Sequence, residues 1–448
     1  GTFHAARDNA ARALRVLRRA LARDLAGDAA REFVGLSGGL AAAALAAFEP
    51  VWADPRAYAW MRAAHALAAS GPADALDAHL HQFKAFSLGI AWHAGADCAF
   101  VTPASVALPF ALPGSRLSVD GAGTVALLGL ASRRLLVVRD GTRVAVPLEA
   151  GATAGGLTVR ECPVARAGDH MLPLHPHALH VKGLAVGEPA VRAGLGYHAR
   201  HVPLIERTLA AMERHAPESF AAFRRVIRLI GLKPLAWGGF DDFSPAEMPG
   251  AFVASVVANP LVLADHFIHE LQHNRLQLIE EGGPLFEDGT GEEARHYSPW
   301  RDKPRGLHGI FHGVYVFVAV YRYWHAVVDA PEVGAEDRAF ALDRVVRLPA
   351  QLELALGVLG RHARLTALGR IILDQLTRDA ARIRQAAAFA GAPADTAALT
   401  VGEDGAVVAE TSAVDGRPIT VREAVVAHLQ RNAAHADGAV LPSGWAAS

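Results

Sequence analysis

The segment His269-Glu270-Leu271-Gln272-His273 limits what this chain can fold into more than any other, because it asks an apolar helix to carry two imidazoles on one face. Residues four apart on an α-helix have Cβ atoms about 5–6 Å apart, a separation at which two imidazoles share one divalent ion. Glu270 stands beside the first histidine, the position from which a carboxylate activates metal-bound water in zinc peptidases. The segment opens after Asn259-Pro260 with the apolar run Leu261 to Ala264 and continues through Leu276, Leu278 and Ile279, so a buried helix is expected over residues 261–281. Two histidines and a glutamate are costly to bury there unless they are paired or metal-bound. A metal site is therefore expected on this helix.

A metal needs at least one more protein ligand, and the residues downstream offer Glu292, Glu293, His296, His308 and His312. His266, three residues before His269, reads as a core or supporting histidine. The metzincin continuation is excluded, since its glycine and third histidine would fall on Leu276 and Ile279. A gluzincin-like arrangement with Glu292 or Glu293 stays open, although both sit in a Gly/Asp/Glu-rich run that also reads as solvated surface. His308 and His312 form their own pair four residues apart at the start of the next apolar helix, and His312 is favoured as the third ligand. The His-x-Asp pattern of double-stranded β-helix oxygenases has one match, His435-Ala436-Asp437, but no histidine follows it. The His-rich piece His170 to His180 is broken by prolines.

Composition narrows the partners. With 44 basic and 45 acidic residues among 448, the chain has no global field directed at nucleic acid or an anionic membrane. Cys98 and Cys162 have no CxxC spacing, which argues against a disulfide scaffold or a cysteine-ligated metal, and a cytoplasmic location is expected. The most apolar stretch, Gly309 to Val328, contains His312, Arg322, Trp324 and His325 and reads as a buried helix, not a membrane span.

The expected fold class is α+β and mostly helical, and not a double-stranded β-helix barrel. Residues 1–98 read as a helical N-terminal region and 99–195 as β-rich. Residues 196–395 form the metal-binding catalytic region with its HExxH helix, and 396–448 a small C-terminal hairpin and helix. Asp140-Gly141 between two apolar runs is a hairpin signal. Residues 231–249 read as a loop, followed by a short strand over 251–257.

The stretch His269 to Asn274, then Tyr297-Ser298-Pro299-Trp300-Arg301-Asp302-Lys303-Pro304-Arg305, then His308-Gly309-Ile310-Phe311-His312-Gly313-Val314-Tyr315-Val316-Phe317, resembles the HExxH family associated with modification of ribosomally synthesised peptides. The likeness is most specific over residues 245–330. It implies Fe(II)- and 2-oxoglutarate-dependent β-hydroxylation of a side chain in a ribosomally made precursor peptide, with dioxygen as co-substrate. By this likeness His269 and His273 are iron ligands and His312 the third.

Such a site also needs a cation for the distal carboxylate of 2-oxoglutarate. A guanidinium presents a planar bidentate fork suited to that task, and Arg301 and Arg305 stand between the two ligand-bearing helices, with Ser298 as a further donor. Glu270 orients a ligand or binds metal in that reading. In the alternative, a gluzincin-like zinc metallopeptidase, it is the general base. A non-catalytic peptide-binding pathway protein is the third reading. Trp300, Trp237 and Phe240 are candidates for a peptide groove, although buried aromatics more often belong to a core.

Overall fold

The computed structural model describes residues 51–70, 83–174, 194–234, 242–246, 248–287, 296–389, 397–401, 407–409 and 419–432, together with positions 14, 15, 18, 50, 75, 76, 79, 80, 291 and 434. Two compact units emerge, one made of Gly1–Pro203 with Arg225–Ser255 and the other of Leu204–Arg224 with Val256–Ser448.

In the first unit, helix α1 (Pro55–Ser70) starts on Asp54, whose Oδ1 accepts the N–H of Arg56 at 3.0 Å, while the buried Asp54 and Arg56 side chains pair. After α2 (Phe83–Ala94) the chain turns to strands: β1 (Cys98–Ala107), β2 (Phe110–Ala111), β3 (Leu117–Asp120), β4 (Thr124–Ala131), β5 (Arg134–Arg139), β6 (Thr142–Pro147), β7 (Thr153–Ala154), β8 (Leu157–Glu161), β9 (Val164–Ala167) and β10 (His170–Pro173). They form two open antiparallel four-stranded sheets, ordered β1-β4-β5-β6 and β2-β3-β8-β7, and a β9-β10 hairpin. Leu127, Leu135, Val137, Val146, Leu157 and Val159 alternate inward to build a shared core with Leu88 of α2. Asp140 and Gly141 both have positive φ, 49° and 75°, and close the β5-β6 hairpin in which Arg139 faces Thr142. That is the backbone a two-residue turn between twisted strands demands.

Helices α3 (Leu195–His215) and α4 (Pro217–Val226) follow, then β11 (Leu229–Pro234) paired with β12 (Ala251–Val256). Residues 231–234 of the expected loop are strand instead, because Leu229 to Lys233 are buried in pairing and the Leu232 N–H donates to His198 Nε2 at 2.9 Å.

The second unit is helical: α5 (Pro260–Glu280), α6 (Leu307–Asp329), α7 (Ala335–His362), α8 (Ala367–Phe389), a small hairpin of β13 (Leu399–Val401) and β14 (Val407–Ala409), and α9 (Val421–Arg431). α6 packs against α5, α7 and α8. Its apolar length is spent on this packing, with Ile310, Phe311, Val314, Val320 and Trp324 fully buried. Among the described residues no helix is long and apolar enough to cross a membrane, and the sheets close into no barrel. The protein is a mixed helix-and-strand structure.

Candidate metal centre

Helix α5 starts where Asn259 caps it: its side-chain oxygen accepts the N–H groups of Leu261 at 2.9 Å and Val262 at 3.3 Å. Pro260 occupies the first turn, where a missing N–H leaves no bond unmade. The cap is itself held, Asn259 Nδ2 donating to Asp337 Oδ1 at 2.6 Å. Leu263, Phe267 and Leu271 are fully buried, while His269, His273 and Glu280 recur at helical spacing along a neighbouring face.

His269 Nε2 and His273 Nε2 lie 3.1 Å apart. The Glu270 carboxylate joins them, so that the three ligand atoms all fall within 4.8 Å of one another. Two nitrogens bound to one ion at about 2.0–2.1 Å stand roughly 3.0–3.4 Å apart, so the observed gap matches a ligand–ligand edge. Burial holds His269 well below its usual 6.5, helped by the charges of His273, His266, Arg344 and Arg301. Burial likewise takes His273 down to about 3, with His312, Arg305, Arg301 and His308 acting in the same direction. Both rings are thus neutral at neutral pH, the protonation state that metal binding requires.

His312 projects from α6 against the other side of His273, Nδ1 to Nδ1 at 3.1 Å. Its Nε2 lies 3.3 Å from Glu280 Oε2, and His308 Nε2 lies 2.6 Å from Glu280 Oε1. A single imidazole cannot turn both nitrogens to one ion. His269, Glu270 and His273 therefore meet at one point, while His312 belongs to a second group with Glu280 and His308. Burial raises the Glu280 carboxyl, but the hydrogen bonds from His308 and His312 outweigh it and bring Glu280 to about 2. Glu292 and Glu293, the gluzincin-like candidates, lie outside the described residues, as do Trp237, Phe240, His175, His177, His180 and the His435-Ala436-Asp437 match.

Arg305 and Arg301 sit in the loop between α5 and α6, and both raise the positive potential felt by His273. Arg305 is the better anchored. Its backbone exchanges hydrogen bonds with His296 at 2.8 and 2.9 Å, and its side chain lies along Gly309 in the first turn of α6, where an added Cβ would come within 3.2 Å of its Cδ. Arg301 is exposed, and Ser298 is buried in the same loop.

Aromatic rings wall one side of the centre. Phe317 meets His269 edge-on at 5.3 Å and stacks on Trp300 at 4.8 Å. Trp300 in turn packs against Gly313, where a Cβ would come within 2.5 Å of its ring. Trp300 Nε1 is buried and has no hydrogen-bond partner.

Sequence reasoning missed Glu280, Phe317 and Arg344. Spacing puts Glu280 on the helical face of His269 and His273, seven residues after the latter, but its partners His308 and His312 come from α6. Arg344 carried no such signal: it reaches the site from α7, pairing with Asp265 at 2.8 Å one turn before His269. Asp265 also accepts from Trp324 Nε1 at 2.7 Å.

Comparison with known proteins adds no assignment. The chain matches no protein-family model and no curated protein.

Proposed function

We propose that this protein is an iron(II)- and 2-oxoglutarate-dependent hydroxylase acting on the β-carbon of a side chain in a ribosomally made precursor peptide. The observation that carries the reading is the convergence of two neutral histidines and one carboxylate at a single point, with the Arg301 and Arg305 charges beside it. Two histidines and one carboxylate with positions left open form the donor set of non-haem iron oxygenases. The residues fit a bound 2-oxoacid as well. Trp300 Nε1 is a buried donor lacking an acceptor, a state that costs about 1–3 kcal/mol until a ligand oxygen relieves it.

Iron bound there supplies the activation of dioxygen and the oxidative decarboxylation of the 2-oxoacid that together oxidise a C–H bond. The protein's own share is positional. His269 and His273 hold the ion, and Glu270 completes the set or orients it. Arg305 offers its fork to the distal carboxylate of 2-oxoglutarate, with Arg301 and the Ser298 hydroxyl as lesser contributors. Phe317 and Trp300 keep water from one side of the centre. The near-zero net charge agrees with a peptide partner recognised locally, with neither nucleic acid nor a membrane surface involved.

A zinc metallopeptidase is the second reading, favoured by the same Glu270 carboxylate, which stands where a general base for metal-bound water belongs. Incubating the protein with iron, 2-oxoglutarate, dioxygen and a candidate ribosomally made precursor peptide separates the two. A gain of one oxygen on the peptide with matching succinate release is expected; peptide cleavage supports the peptidase, and an unchanged peptide supports a non-catalytic peptide-binding protein.

A further inference from the structure

We infer that Glu280 is a positioning residue for the metal centre, acting through His312 to fix the ring tautomer of His273 so that His273 Nε2 carries the lone pair. The inference rests on the reading that His269 and His273 bind the ion.

One proton position is passed along three side chains. A carboxylate only accepts hydrogen bonds, so the 3.3 Å contact between His312 Nε2 and Glu280 Oε2 requires that Nε2 carry the hydrogen. A neutral imidazole has one N–H, so His312 Nδ1 is then an acceptor. It faces His273 Nδ1 at 3.1 Å, and that contact is a hydrogen bond only if His273 Nδ1 donates. His273 Nε2 is thereby left with its lone pair, 3.1 Å from His269 Nε2. Histidine ligands commonly donate their second N–H to an acceptor that sets tautomer and ring orientation. Here the acceptor is another histidine, and the carboxylate stands one residue further out.

The same geometry decides what the second cluster can do. Glu280, His308 and His312 have the donors of a metal site of their own. An ion held by His312 Nε2 would put the hydrogen on His312 Nδ1, however. With His273 Nε2 also bound to metal, two N–H donors would point at each other across 3.1 Å with no acceptor between them. The two clusters cannot both be filled through these atoms, so between them they take one ion.

Two measurements test this: Co(II) titration of the full chain against a competing chelator, and ¹H–¹⁵N spectra of the histidine ring nitrogens in the metal-free protein. Across the two clusters the parent should bind one Co(II), the one that His269→Ala loses, and show His273 protonated at Nδ1. Glu280→Ala should weaken Co(II) binding by about 10- to 100-fold, the usual effect of losing an outer partner of a ligand, and shift His273 toward the Nε2–H tautomer. Glu280→Gln, whose amide oxygen still accepts from His312, should restore both. His308→Ala should leave the His273 tautomer unchanged. Two Co(II) ions bound at once, one lost in His269→Ala and the other in His308→Ala, or a Glu280→Ala variant with parental affinity and tautomer, would overturn the inference. If His269→Ala holds Co(II) as tightly as the parent, the metal reading fails instead, and the spectra of the metal-free protein still decide whether Glu280 sets the tautomer.

Discussion

The Nε2 atoms of His269 and His273 stand 3.1 Å apart on the third and fourth turns of α5. Replacing either imidazole leaves the other with Glu270, too few ligands to retain an ion. His269→Ala and His273→Ala should each lose at least about a hundredfold in metal affinity while the far-ultraviolet circular dichroism stays that of the parent, as about 2.8 kcal/mol or more of binding is removed without touching the apolar face of α5. Metal content after gel filtration against a weak chelator reads this directly, and full occupancy in either variant refutes it.

Acid should destabilise the metal-free protein in a defined window. Burial holds His269 and His273 below 6.5 in the folded state, so below that pH the unfolded chain binds more protons than the folded one. Stability is fully present above 6.5 and is lost as pH falls from 6.5 toward about 3, the folded value for His273. Each histidine contributes on the order of 1 kcal/mol per pH unit within that range. Glu280, lowered to about 2, acts in the same sense below its ordinary 4.5. Urea denaturation at a series of pH values should show the midpoint falling below 6.5, and His269→Ala should flatten that slope.

Arg305→Ala should weaken 2-oxoglutarate binding by about 10- to 100-fold, the loss of a charge-assisted contact of roughly 1.5–3 kcal/mol, with metal affinity changed far less. Arg301→Ala should do less, because Arg301 is exposed and its field is screened by solvent. Isothermal titration of 2-oxoglutarate into the metal-loaded variants without oxygen makes the comparison. Equal affinities in parent and Arg305→Ala would move the carboxylate anchor elsewhere.

What the sequence made legible was the local chemistry. Asp140-Gly141 is readable because a turn with two positive φ angles selects those residues without outside help, and Asn259-Pro260 because a helix start is decided within one turn. The His269, Glu270 and His273 grouping follows from helical spacing alone. β11 was missed because Gly231 and Pro234 look like loop residues until β12, some twenty positions later, pairs with the strand. Glu280 was missed because Glu280-Glu281-Gly282-Gly283 reads as a solvated helix end, and only the packing of α6 on α5 brings His308 and His312 to it. Local propensity carries no record of such long-range pairing.

Two helix glycines should respond oppositely to alanine. Ordinarily Gly→Ala inside a helix stabilises by about 0.5–1 kcal/mol. Gly357→Ala in α7 should gain that amount, since its Cβ would meet only the Arg361 guanidinium at 3.5 Å. Gly313→Ala in α6 should instead lose stability, because its Cβ would press within 2.5 Å of the Trp300 ring, and overpacking of this kind costs about 1–3 kcal/mol. Thermal melts of the two variants compare them, and a gain in Gly313→Ala would mean that Trp300 does not lie on that glycine.

The central claim is that a 2-oxoacid and an iron ion meet at His269, Glu270 and His273. Titrating 2-oxoglutarate into the iron(II)-loaded protein under anaerobic conditions, and following the charge-transfer absorbance of a chelated 2-oxoacid, tests it most directly. The account predicts a band that saturates at one 2-oxoglutarate per chain, weakens in Arg305→Ala and is missing in His269→Ala. An iron-loaded parent that develops no band would contradict it and leave the zinc peptidase as the better reading of the same residues.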